Sequence, residues 1–356
     1  MSSRLTGSII SLLAVLAIAG CSINGTGGVT PTAEPAATAS SSTPEEAATK
    51  VRFTMSWTAN NNQTGIFVAQ KMGWYKDAGI DLEVLPYSGQ RPTEVIAAGA
   101  ADAGDTNAEA VINAAINQIG VTMVHNTQQK PSYGILLKAD KAEVTRPRDL
   151  DGLTYADWGS ATIRAQVQDM IKNDGGKGDF KTVNLAGPDA YTALNEGRVD
   201  FTTGFVTVEG ERAKLNGTPY KTFAFDNYDV PANPADIGIV LSNNFIEKHP
   251  KATEAFTQAT QKGYDFALNH PEEAAQILLE ANPDAHLDPE LVKKTQISLS
   301  AAYWKDHEGV TGHADLRAWQ DYINYLQKKE LLHDATGAPV TAALSANDMV
   351  TNRYLK

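Results

Sequence analysis

Four short stretches of the sequence place aromatic, amide, hydroxyl and acidic side chains where predicted strands end. The first, SWTANNNQTG, begins at Ser56 and sets Trp57 and three consecutive asparagines before an apolar helix. Asparagine forms helices and strands poorly, so the run needs another explanation. One explanation is a helix cap, supplied by Asn62 or Thr64. The other is a ligand cleft, in which Trp57 offers a flat stacking surface and the amides offer donors and acceptors.

The other three stretches combine the same types of side chain. They are Asp105-Thr106-Asn107, Trp158-Gly159-Ser160 and the segment from Phe205 to Glu209. Each one alone also fits ordinary cap or turn chemistry. Together they predict one cleft with two tryptophans, amides, hydroxyls and two carboxylates, which suits a flat, nitrogen-rich ligand that is uncharged or weakly basic. Glu209 would accept two hydrogen bonds from a protonated aminopyrimidine edge and would repel a sulfonate or nitrate.

The predicted ligand-binding set joins these stretches with one further tyrosine. It consists of Trp57, Asn61, Asn62, Thr64, Tyr87, Asp105, Thr106, Trp158, Gly159, Ser160, Phe205 and Glu209. The sequence contains no P-loop, GxGxxG, HExxH, GxSxG or CxxC motif. We therefore predict no catalytic residue, no metal site and no cofactor.

Short apolar strands alternate with helices from Val51 onward, which predicts an α/β fold with a mostly parallel sheet. The plan occurs twice, since EVIAAGAADAGDT and YTALNEGRVDFTTG each combine a helix, a glycine, an aspartate and a strand end. The strands YGILLKA and DIGIVLS flank the second copy and predict two crossings between two lobes, with a cleft between them. We expect lobe 1 at residues 51–135 and 240–356, where the C-terminal helices pack back, and lobe 2 at residues 136–239.

The N-terminal residues indicate export to the outer face of a membrane. Arg4 precedes the apolar run SIISLLAVLAIAG, which is too short to span a bilayer and ends at Cys21, the only cysteine. The pattern resembles a bacterial lipobox, so we predict a lipoprotein signal peptide at residues 1–20 and lipidation of Cys21. An ordinary signal peptide is the alternative. Residues 21–50 are rich in Ser, Thr, Ala, Pro and Gly and indicate a flexible tether.

The net charge of the chain and the predicted lipid anchor together limit the kinds of molecule that the protein is expected to bind. The net charge is −12 and the pI is about 5.1, which argues against binding to nucleic acid. Acyl chains on Cys21 would hold the protein at the cell membrane, on the extracytoplasmic face, without spanning it. We expect a lipid-anchored monomer that binds a small molecule.

The long opening stretch SWTANNNQTGIFVAQKMGWYKDAGIDLEV resembles that of substrate-binding proteins of the thiamine-pyrimidine-synthase-like family. The resemblance continues through AAGAADAGDT, VEGERAKLNG, the QxSxxAAYW segment from Gln296 and the terminal VTNRYLK. It implies the type II periplasmic-binding-protein fold, a two-lobed α/β fold whose hinge cleft closes on ligand. It also implies a role in an ABC importer, which pairs a permease with a cytosolic ATPase.

The resemblance narrows the ligand without fixing it. Relatives bind formylaminopyrimidine, hydroxymethylpyrimidine, riboflavin, aliphatic sulfonates, taurine or nitrate. Trp57, Asn61 and Glu209 fall where pyrimidine binders place stacking and hydrogen-bonding groups, so we expect a thiamine-precursor aminopyrimidine, with riboflavin and sulfonate or taurine as alternatives. The Gly159-Ser160 loop is shared with sulfonate binders, and Arg164 beyond it would serve an anion or lie on a solvated helix face.

The family also contains an enzyme that makes the pyrimidine with an active-site histidine in the opening motif and a cysteine-rich iron segment. This chain has Gln63 at the histidine position, and the segment VPANPA before DIGIVLS lacks cysteine. An amide holds a ligand but transfers protons poorly. The resemblance therefore implies carriage of a ligand rather than catalysis. A lipoprotein sensor that passes ligand state to a partner is a further alternative.

Overall fold

The computed structural model describes residues 47–185, 187–306 and 308–356. The predicted signal peptide, Cys21 and the tether up to residue 46 lie outside the described residues. Thr49 and Lys50, which we expected in the tether, begin the first strand instead. Within the described part of the chain, no helix combines the length and the apolar character needed to cross a membrane.

The strands and helices follow the predicted alternation. The strands are β1 Thr49–Thr54, β2 Ile80–Leu85, β3 Ala103–Thr106, β4 Val121–His125, β5 Tyr133–Lys138, β6 Thr154–Asp157, β7 Lys181–Asn184, β8 Phe201–Phe205, β9 Tyr220–Ala224 and β10 Gly238–Ser242. The helices are α1 Thr64–Lys71, α2 Trp74–Asp77, α3 Pro92–Ala97, α4 Ala108–Ile116, α5 Ala161–Asn173, α6 Pro188–Asn195, α7 Glu211–Leu215, α8 Asn243–Lys248, α9 Pro250–Asn269, α10 Pro271–Ala281, α11 Pro289–Ala302 and α12 Leu316–Lys328.

The strands form two sheets of the same design. The first has the order β2-β1-β3-β10-β4 and the second the order β7-β6-β8-β5-β9. In the first sheet β1 runs parallel to β2 and β3, while β10 runs antiparallel to β3 and β4. In the second sheet β6 runs parallel to β7 and β8, while β5 runs antiparallel to β8 and β9. The predicted repetition of one arrangement of strands and helices is therefore confirmed. In place of the single, mostly parallel sheet that we predicted, the chain forms two sheets, and each contains one antiparallel strand.

The reversed strands are the two predicted crossings. β5 leaves the first half of the chain and enters the second sheet at Tyr133, and β10 returns to the first sheet at Gly238. They lie in YGILLKA and DIGIVLS, the two strands in which we expected the crossings. We call the part of the molecule around the first sheet the first lobe, and the part around the second sheet the second lobe.

The side chains of β1 and β2, at one edge of the first sheet, alternate between buried and more exposed positions. In β1, Val51 and Phe53 are buried, while Arg52 points to the other face and binds Asp102 with its guanidinium. β2 repeats the pattern with Ile80 and Leu82 inward. This period of two is the pattern of a strand that faces the core on one side.

Several elements differ from the sequence prediction. The expected single helix TGIFVAQKMGWYKDAG is two helices, because Gly73 adopts a left-handed conformation with φ 76° between α1 and α2. The strand expected to reach Trp57 ends at Thr54, and bends follow it. The segment VTVEGERAKLNG forms a π-helical turn, Val206–Gly210, that leads into α7. Such turns are rare and occur frequently at functional sites.

The C-terminal helix α9 crosses α1 where two glycines face each other. A Cβ atom on Gly263 would lie 2.0 Å from the backbone oxygen of Gly65. A Cβ atom on Gly65 would lie 2.4 Å from the ring of Tyr264. The two helices can pack this closely only because neither glycine has a side chain, and the contact fixes α1, which carries the asparagine run at its N-terminus.

We predict that Gly263→Ala lowers the free energy of unfolding by about 2 kcal/mol, although alanine favours a helix by about 1 kcal/mol. The methyl group would force α9 away from α1. Urea denaturation of the purified protein measures the change. Glu254→Ala, on the exposed face of the same helix, is the matched control and should stay within about 0.5 kcal/mol. Equal stability of the two variants would contradict the proposed close contact.

Candidate functional site

The two crossings between the lobes are tied together by one carboxylate. Asp236, on the second crossing, accepts hydrogen bonds at Oδ2 from the side chain of Gln128 at 3.0 Å and from the backbone N–H of Ser132 at 2.9 Å. The amide of Asn126 also donates to the carbonyl of Pro234 at 3.2 Å. These bonds join the first crossing to the second and define the hinge.

A cavity of about 220 Å³ lies beside this hinge, with walls from both lobes. Its lining residues are Asn107, Glu109, Pro131, Tyr133, Ser160, Ile163, Gln166, Phe205, Phe225, Ala232, Asn233, Asp236 and Tyr322. Two of them, Ser160 and Phe205, belong to the set predicted from sequence. The cavity is therefore where the structure brings the ends of β3, β6 and β8 together.

The cavity has an acidic character. Burial raises the pKa of Asp236 to about 6, against the backbone N–H groups of Ser132 and Tyr133, which lower it. Burial also raises the pKa of Glu109, although the hydroxyls of Thr162 and Tyr322 both donate to its carboxylate at 3.2 Å. Among the described residues that line the cavity, none is lysine, arginine or histidine. A ligand that donates hydrogen bonds is favoured there over an anion.

The lobes touch on both sides of the cavity. On one side the hydroxyl of Thr295 in α11 donates to the carbonyl of Thr207 in the π-helical turn at 2.9 Å. On the other side Asp169 of α5 accepts from Tyr325 at 3.1 Å and pairs with Lys329 at 2.6 Å. The C-terminal helices thus contact the second lobe as well as the first.

The asparagine run caps the helix in a way that we did not predict. The cap is Asn60, not Asn62 or Thr64: its side chain accepts from the N–H of Asn62, and the side chain of Gln63 accepts from the N–H of Asn60 at 3.0 Å. This reciprocal pair is a capping box around a short 3-10 turn that leads into α1. The sequence signal was present, since asparagine and glutamine stand three residues apart.

The other polar residues of the run also bond to neighbouring parts of the protein. Asn61 is buried and donates its amide to the carbonyl of Val292 and to Gln296 in α11. Thr64 is buried and donates to the carbonyl of Asn61. Asn62 is half-buried, and its carbonyl accepts from the hydroxyl of Tyr264 at 2.6 Å. The run therefore anchors the loop to α9 and α11.

Asp105, at the end of β3, is fully buried and anchors the same loop. It accepts from the N–H of Ser56 at 3.0 Å, from the hydroxyl of Ser56 at 2.5 Å and from the amide of Gln63 at 2.9 Å. Burial nevertheless raises its pKa. The amide of Gln63, which stands at the position of the synthase histidine, therefore holds this carboxylate. Thr106 follows Asp105 and is likewise buried.

The loop fixed in this way presents Trp57 to solvent. The side chain of Trp57 is 61% exposed, and its ring lies 5.4 Å from that of Tyr87 after β2. In the second lobe Trp158 is 37% exposed, stacks edge-on against Tyr191 at 5.5 Å and donates its indole N–H to Thr202. Each tryptophan is thus braced by a tyrosine of its own lobe, with part of its ring left open.

The Gly159-Ser160 loop begins α5. Gly159 has φ 86°, which glycine adopts readily, and its N–H donates to Asp157 at 2.7 Å. Ser160 caps α5 by accepting from the N–H of Ile163 and also lines the cavity. Arg164, which we considered for an anion, donates from Nε to the buried Asp157 at 2.6 Å. Its charge is compensated within the protein.

Glu209 lies in the π-helical turn beside a group of tyrosines. Its Oε2 accepts from the N–H of Phe205 at 2.9 Å, and burial raises its pKa. Burial raises the pKa of Tyr133, Tyr191 and Tyr220, and the charge of Glu209 adds to this rise. Glu209 is not a lining residue of the cavity, but Phe205, to which it is bonded, is. The carboxylate is therefore bonded directly to a residue that lines the cavity.

Sequence reasoning missed most of the residues that line the cavity. Glu109 lies in the first turn of α4, directly after the predicted strand end at Asp105, so its position was a usable signal. Asp236 precedes the predicted crossing strand DIGIVLS. Tyr322 lies in α12, more than a hundred residues away from the predicted site loops of either lobe. In the sequence, only the amphipathic pattern of this helix was visible. Among the described residues no group of three or more His, Cys, Asp or Glu could hold a metal ion.

We predict that Asp236 makes stability depend on pH between about 4 and 6. The pKa of Asp236 is raised from 3.8 to about 6 in the folded protein, so its charged form costs stability. This cost is absent below pH 4, grows as pH rises and is complete above pH 6. Lowering the pH from 7 to 5 should therefore stabilise the wild type, relative to Asp236→Asn, by about 1 kcal/mol in urea denaturation. Parallel pH profiles would contradict the assignment.

Comparisons of this chain with known proteins identify relatives of two kinds. A formylaminopyrimidine-binding protein from Halalkalibacterium halodurans is 26% identical over 341 residues, which cover 94% of this chain and 96% of that protein. A 4-amino-5-hydroxymethyl-2-methylpyrimidine phosphate synthase, THI5, from Saccharomyces cerevisiae is 24% identical over 250 residues, which cover 67% of this chain and 73% of that protein.

Solved structures share the fold at low identity. A periplasmic sulfonate-binding protein SsuA of a putative sulfonate ABC transporter from Methylobacillus flagellatus has a TM-score of 0.63 and 16% identity, with 87% of this chain and 93% of that chain covered. The periplasmic nitrate-binding protein NrtA from Synechocystis has a TM-score of 0.59 and 12% identity, with 86% and 87% covered. The predicted two-lobed α/β fold of periplasmic binding proteins is confirmed. The family model described as NMT1/THI5 like matches residues 60–274, and the chain therefore belongs to the NMT1/THI5-like family.

Proposed function

We propose that this chain is the solute-binding lipoprotein of an ABC importer and captures a thiamine-precursor aminopyrimidine of the formylamino or hydroxymethyl type. The observation that carries the proposal is the cavity between the lobes, which combines carboxylates with aromatic rings and has no cationic side chain among its lining residues. The similarity to a formylaminopyrimidine-binding protein over nearly the whole chain supports it. Closure of the lobes would sequester the ligand, and the closed form would dock on a permease that is powered by a cytosolic ATPase.

Charge favours the aminopyrimidine over the sulfonate alternative. Asp236 and Glu109 line the cavity, Glu209 lies next to it, and the guanidinium of Arg164 is paired with Asp157. An anion in the cavity would meet these acids and, among the lining residues, no cationic side chain, whereas an amino group would find acceptors. The sulfonate- and nitrate-binding proteins share the fold with this chain at 16% identity or less. Identity this low does not indicate that this chain binds the same ligand.

Size favours a single ring over riboflavin. A cavity of about 220 Å³ lies below the roughly 300–1,000 Å³ of sites that enclose a drug-sized ligand. A substituted pyrimidine is a small, flat molecule, while riboflavin has three fused rings and a polyol chain. The exposed faces of Trp57 and Trp158, each braced by a tyrosine, offer stacking surfaces for such a flat ring.

Gln63 supports the proposal that this protein binds its ligand without catalysing a reaction. Its amide is fully buried and committed to Asp105 and to the backbone of Asn60, so it is not free to move a proton. The yeast relative is a synthase, and catalysis is therefore the rival to test. A metal assay and an absorbance spectrum of the purified protein address it directly, because the rival requires iron or pyridoxal phosphate.

The proposed place of work is the outer face of the cell membrane. Cys21 would carry the lipid, and residues 21–46 would act as the tether to the folded part. Mass spectrometry of the protein purified from a bacterial membrane would detect acylation at Cys21, and Cys21→Ala should release the protein from the membrane fraction.

We predict that calorimetry with the full-length protein detects formylaminopyrimidine or hydroxymethylpyrimidine and not riboflavin or taurine. The pyrimidines present donors to the acidic cavity, while taurine carries a sulfonate. The four ligands should be titrated under one buffer and salt condition. Tight binding of taurine, with no heat of binding from either pyrimidine, would contradict the ligand assignment.

We predict that Glu209→Gln weakens the aminopyrimidine by about 10- to 100-fold, since a hydrogen bond to a charged group contributes about 1.5–3 kcal/mol. The change keeps the shape of the side chain and removes one acceptor and the charge. Glu196→Gln, exposed in the same lobe, is the matched control and should bind like the wild type. If Glu209→Gln and Glu196→Gln gave the same dissociation constant in calorimetry, the role of Glu209 would be refuted.

A further inference from the structure

One face of α5, in the second lobe, carries polar side chains that bond to three other elements. Thr162 donates to Glu109 of α4 in the first lobe at 3.2 Å. Gln166 donates to the carbonyl of Pro231, in the second crossing, at 2.8 Å. Asp169 accepts a bond from α12. The three positions are four and three residues apart, so they lie on one face of the helix. The second lobe therefore contacts the first through this face of α5.

The helix α12, which α5 meets here, is anchored to the first lobe. Its Tyr322 donates to Glu109 of α4 at 3.2 Å. Its Trp319 donates from the indole N–H to Asn126, directly after β4, at 3.2 Å. Three residues after Tyr322, Tyr325 of the same helix reaches α5 of the second lobe. One helix is therefore bonded to the first lobe near its middle and to the second lobe near its C-terminal end.

Asp169 receives two groups from the end of α12. Tyr325 donates to Oδ2 at 3.1 Å, and the ammonium of Lys329 lies 2.7 Å from Oδ1 and 2.6 Å from Oδ2. Lys329 directly follows α12, and its backbone N–H donates to the carbonyl of Tyr325 at 3.0 Å. The side chains of Asp169 and Lys329 are only 16% and 34% exposed. Water therefore screens this pair less than a fully exposed one, and its charge strengthens the hydrogen bonds.

The contact between Asp169 and Lys329 differs in kind from the other ion pairs of the protein. Of the ion pairs between residues that the structure describes, it is the one that joins the two lobes, while the others stay within one lobe. On the opposite side of the cavity, the bond from Thr295 to the carbonyl of Thr207 joins two uncharged groups. Ionic strength therefore acts on one side of the contact between the lobes.

We propose that Asp169, Tyr325 and Lys329 form a charged latch that holds the two lobes in the arrangement that the structure shows and sets the rate at which the cleft opens. The carboxylate and its two partners lie on helices anchored to different lobes, so a rotation that opens the cleft parts them. The inference concerns the movement of the lobes and applies to any ligand of the cleft. Where it is applied to an aminopyrimidine, it rests on the proposed function.

The test measures the separation of the lobes in the ligand-free, full-length protein by pulsed electron paramagnetic resonance. Spin labels are attached to cysteines that replace Lys76 in α2 and Lys181 in β7, two exposed residues in different lobes, with Cys21 changed to alanine. Lys329→Met keeps much of the side chain and removes its charge. It should raise the ratio of open to closed molecules about 3- to 10-fold, because a partly exposed charged bond is lost.

Further variants and salt separate the latch from a general loss of stability. Lys328→Met removes the neighbouring exposed charge and should match the wild type, while Tyr325→Phe removes one hydroxyl and should open the lobes about twofold. Asp169→Asn combined with Lys329→Met should open the lobes no more than about twofold beyond the more open single variant, because both changes remove the same bond. Raising NaCl from about 0.05 M to about 0.5 M should open the wild type but not Lys329→Met.

The release of a ligand gives a second measurement. In stopped-flow experiments with formylaminopyrimidine, the dissociation rate constant of Lys329→Met should be about 3- to 10-fold higher than that of the wild type, with a smaller change in the association rate constant. A purely structural role would lower the melting temperature and leave the dissociation rate constant unchanged.

The outcomes distinguish the latch from the proposed function. The same distance distribution in Lys329→Met and Lys328→Met would overturn the latch, and so would a lower melting temperature of Lys329→Met without any change in the distances. Circular dichroism checks that each variant is folded, and if Lys329→Met fails to fold, Tyr325→Phe and the salt dependence of the wild type decide. A wild type that binds no pyrimidine would overturn the proposed function alone, because the distances are measured without ligand.

Discussion

The constraint on which the structure depends is the exchange of one strand between the two sheets. β5 completes the second sheet and β10 completes the first, so neither lobe has a complete sheet without a segment that has crossed the hinge. The crossings are short, and Asp236 bonds them to each other through Gln128 and Ser132. The crossings therefore meet at one small hydrogen-bonded junction, and the cavity lies against that junction.

This arrangement explains why so many polar side chains near the cavity do not face it. A cleft wall that must keep its shape while lobes move needs rigid loops, and the loop after β1 is made rigid by buried bonds. Asn60 and Gln63 close the cap, Asn61 reaches α11, and Asp105 holds both Ser56 and Gln63. The glycine contact between α1 and α9 fixes the helix behind them. The outcome is an exposed Trp57 on a loop with little freedom.

The sequence predicted the parts that depend on local pattern. The duplicated plan, the two crossings and the order of helices and strands followed from the alternation of apolar runs, and the strand ends at Ser160 and Phe205 do reach the cavity. What it could not supply were contacts between distant segments. Nothing in ANNNQTG shows that Asn61 would pair with Val292, and nothing around Tyr322 shows that α12 would reach Glu109. The same residue types can contact a ligand or form structural hydrogen bonds within the protein. Which of the two a residue does depends on the packing of segments that are distant in sequence.

Electrostatics connects the hinge to the ligand. Glu109 and Asp236 both have raised pKa values because burial in this structure removes them from water, while their hydrogen-bond donors offset only part of that cost. In an open form the same carboxylates would be better hydrated, so closing an empty cleft is opposed by their desolvation. A ligand that brings donors to Asp236 would reduce this penalty only in the closed form. Differential stabilisation of one state is what couples binding to a conformational change, and the acidic cavity beside the hinge provides it.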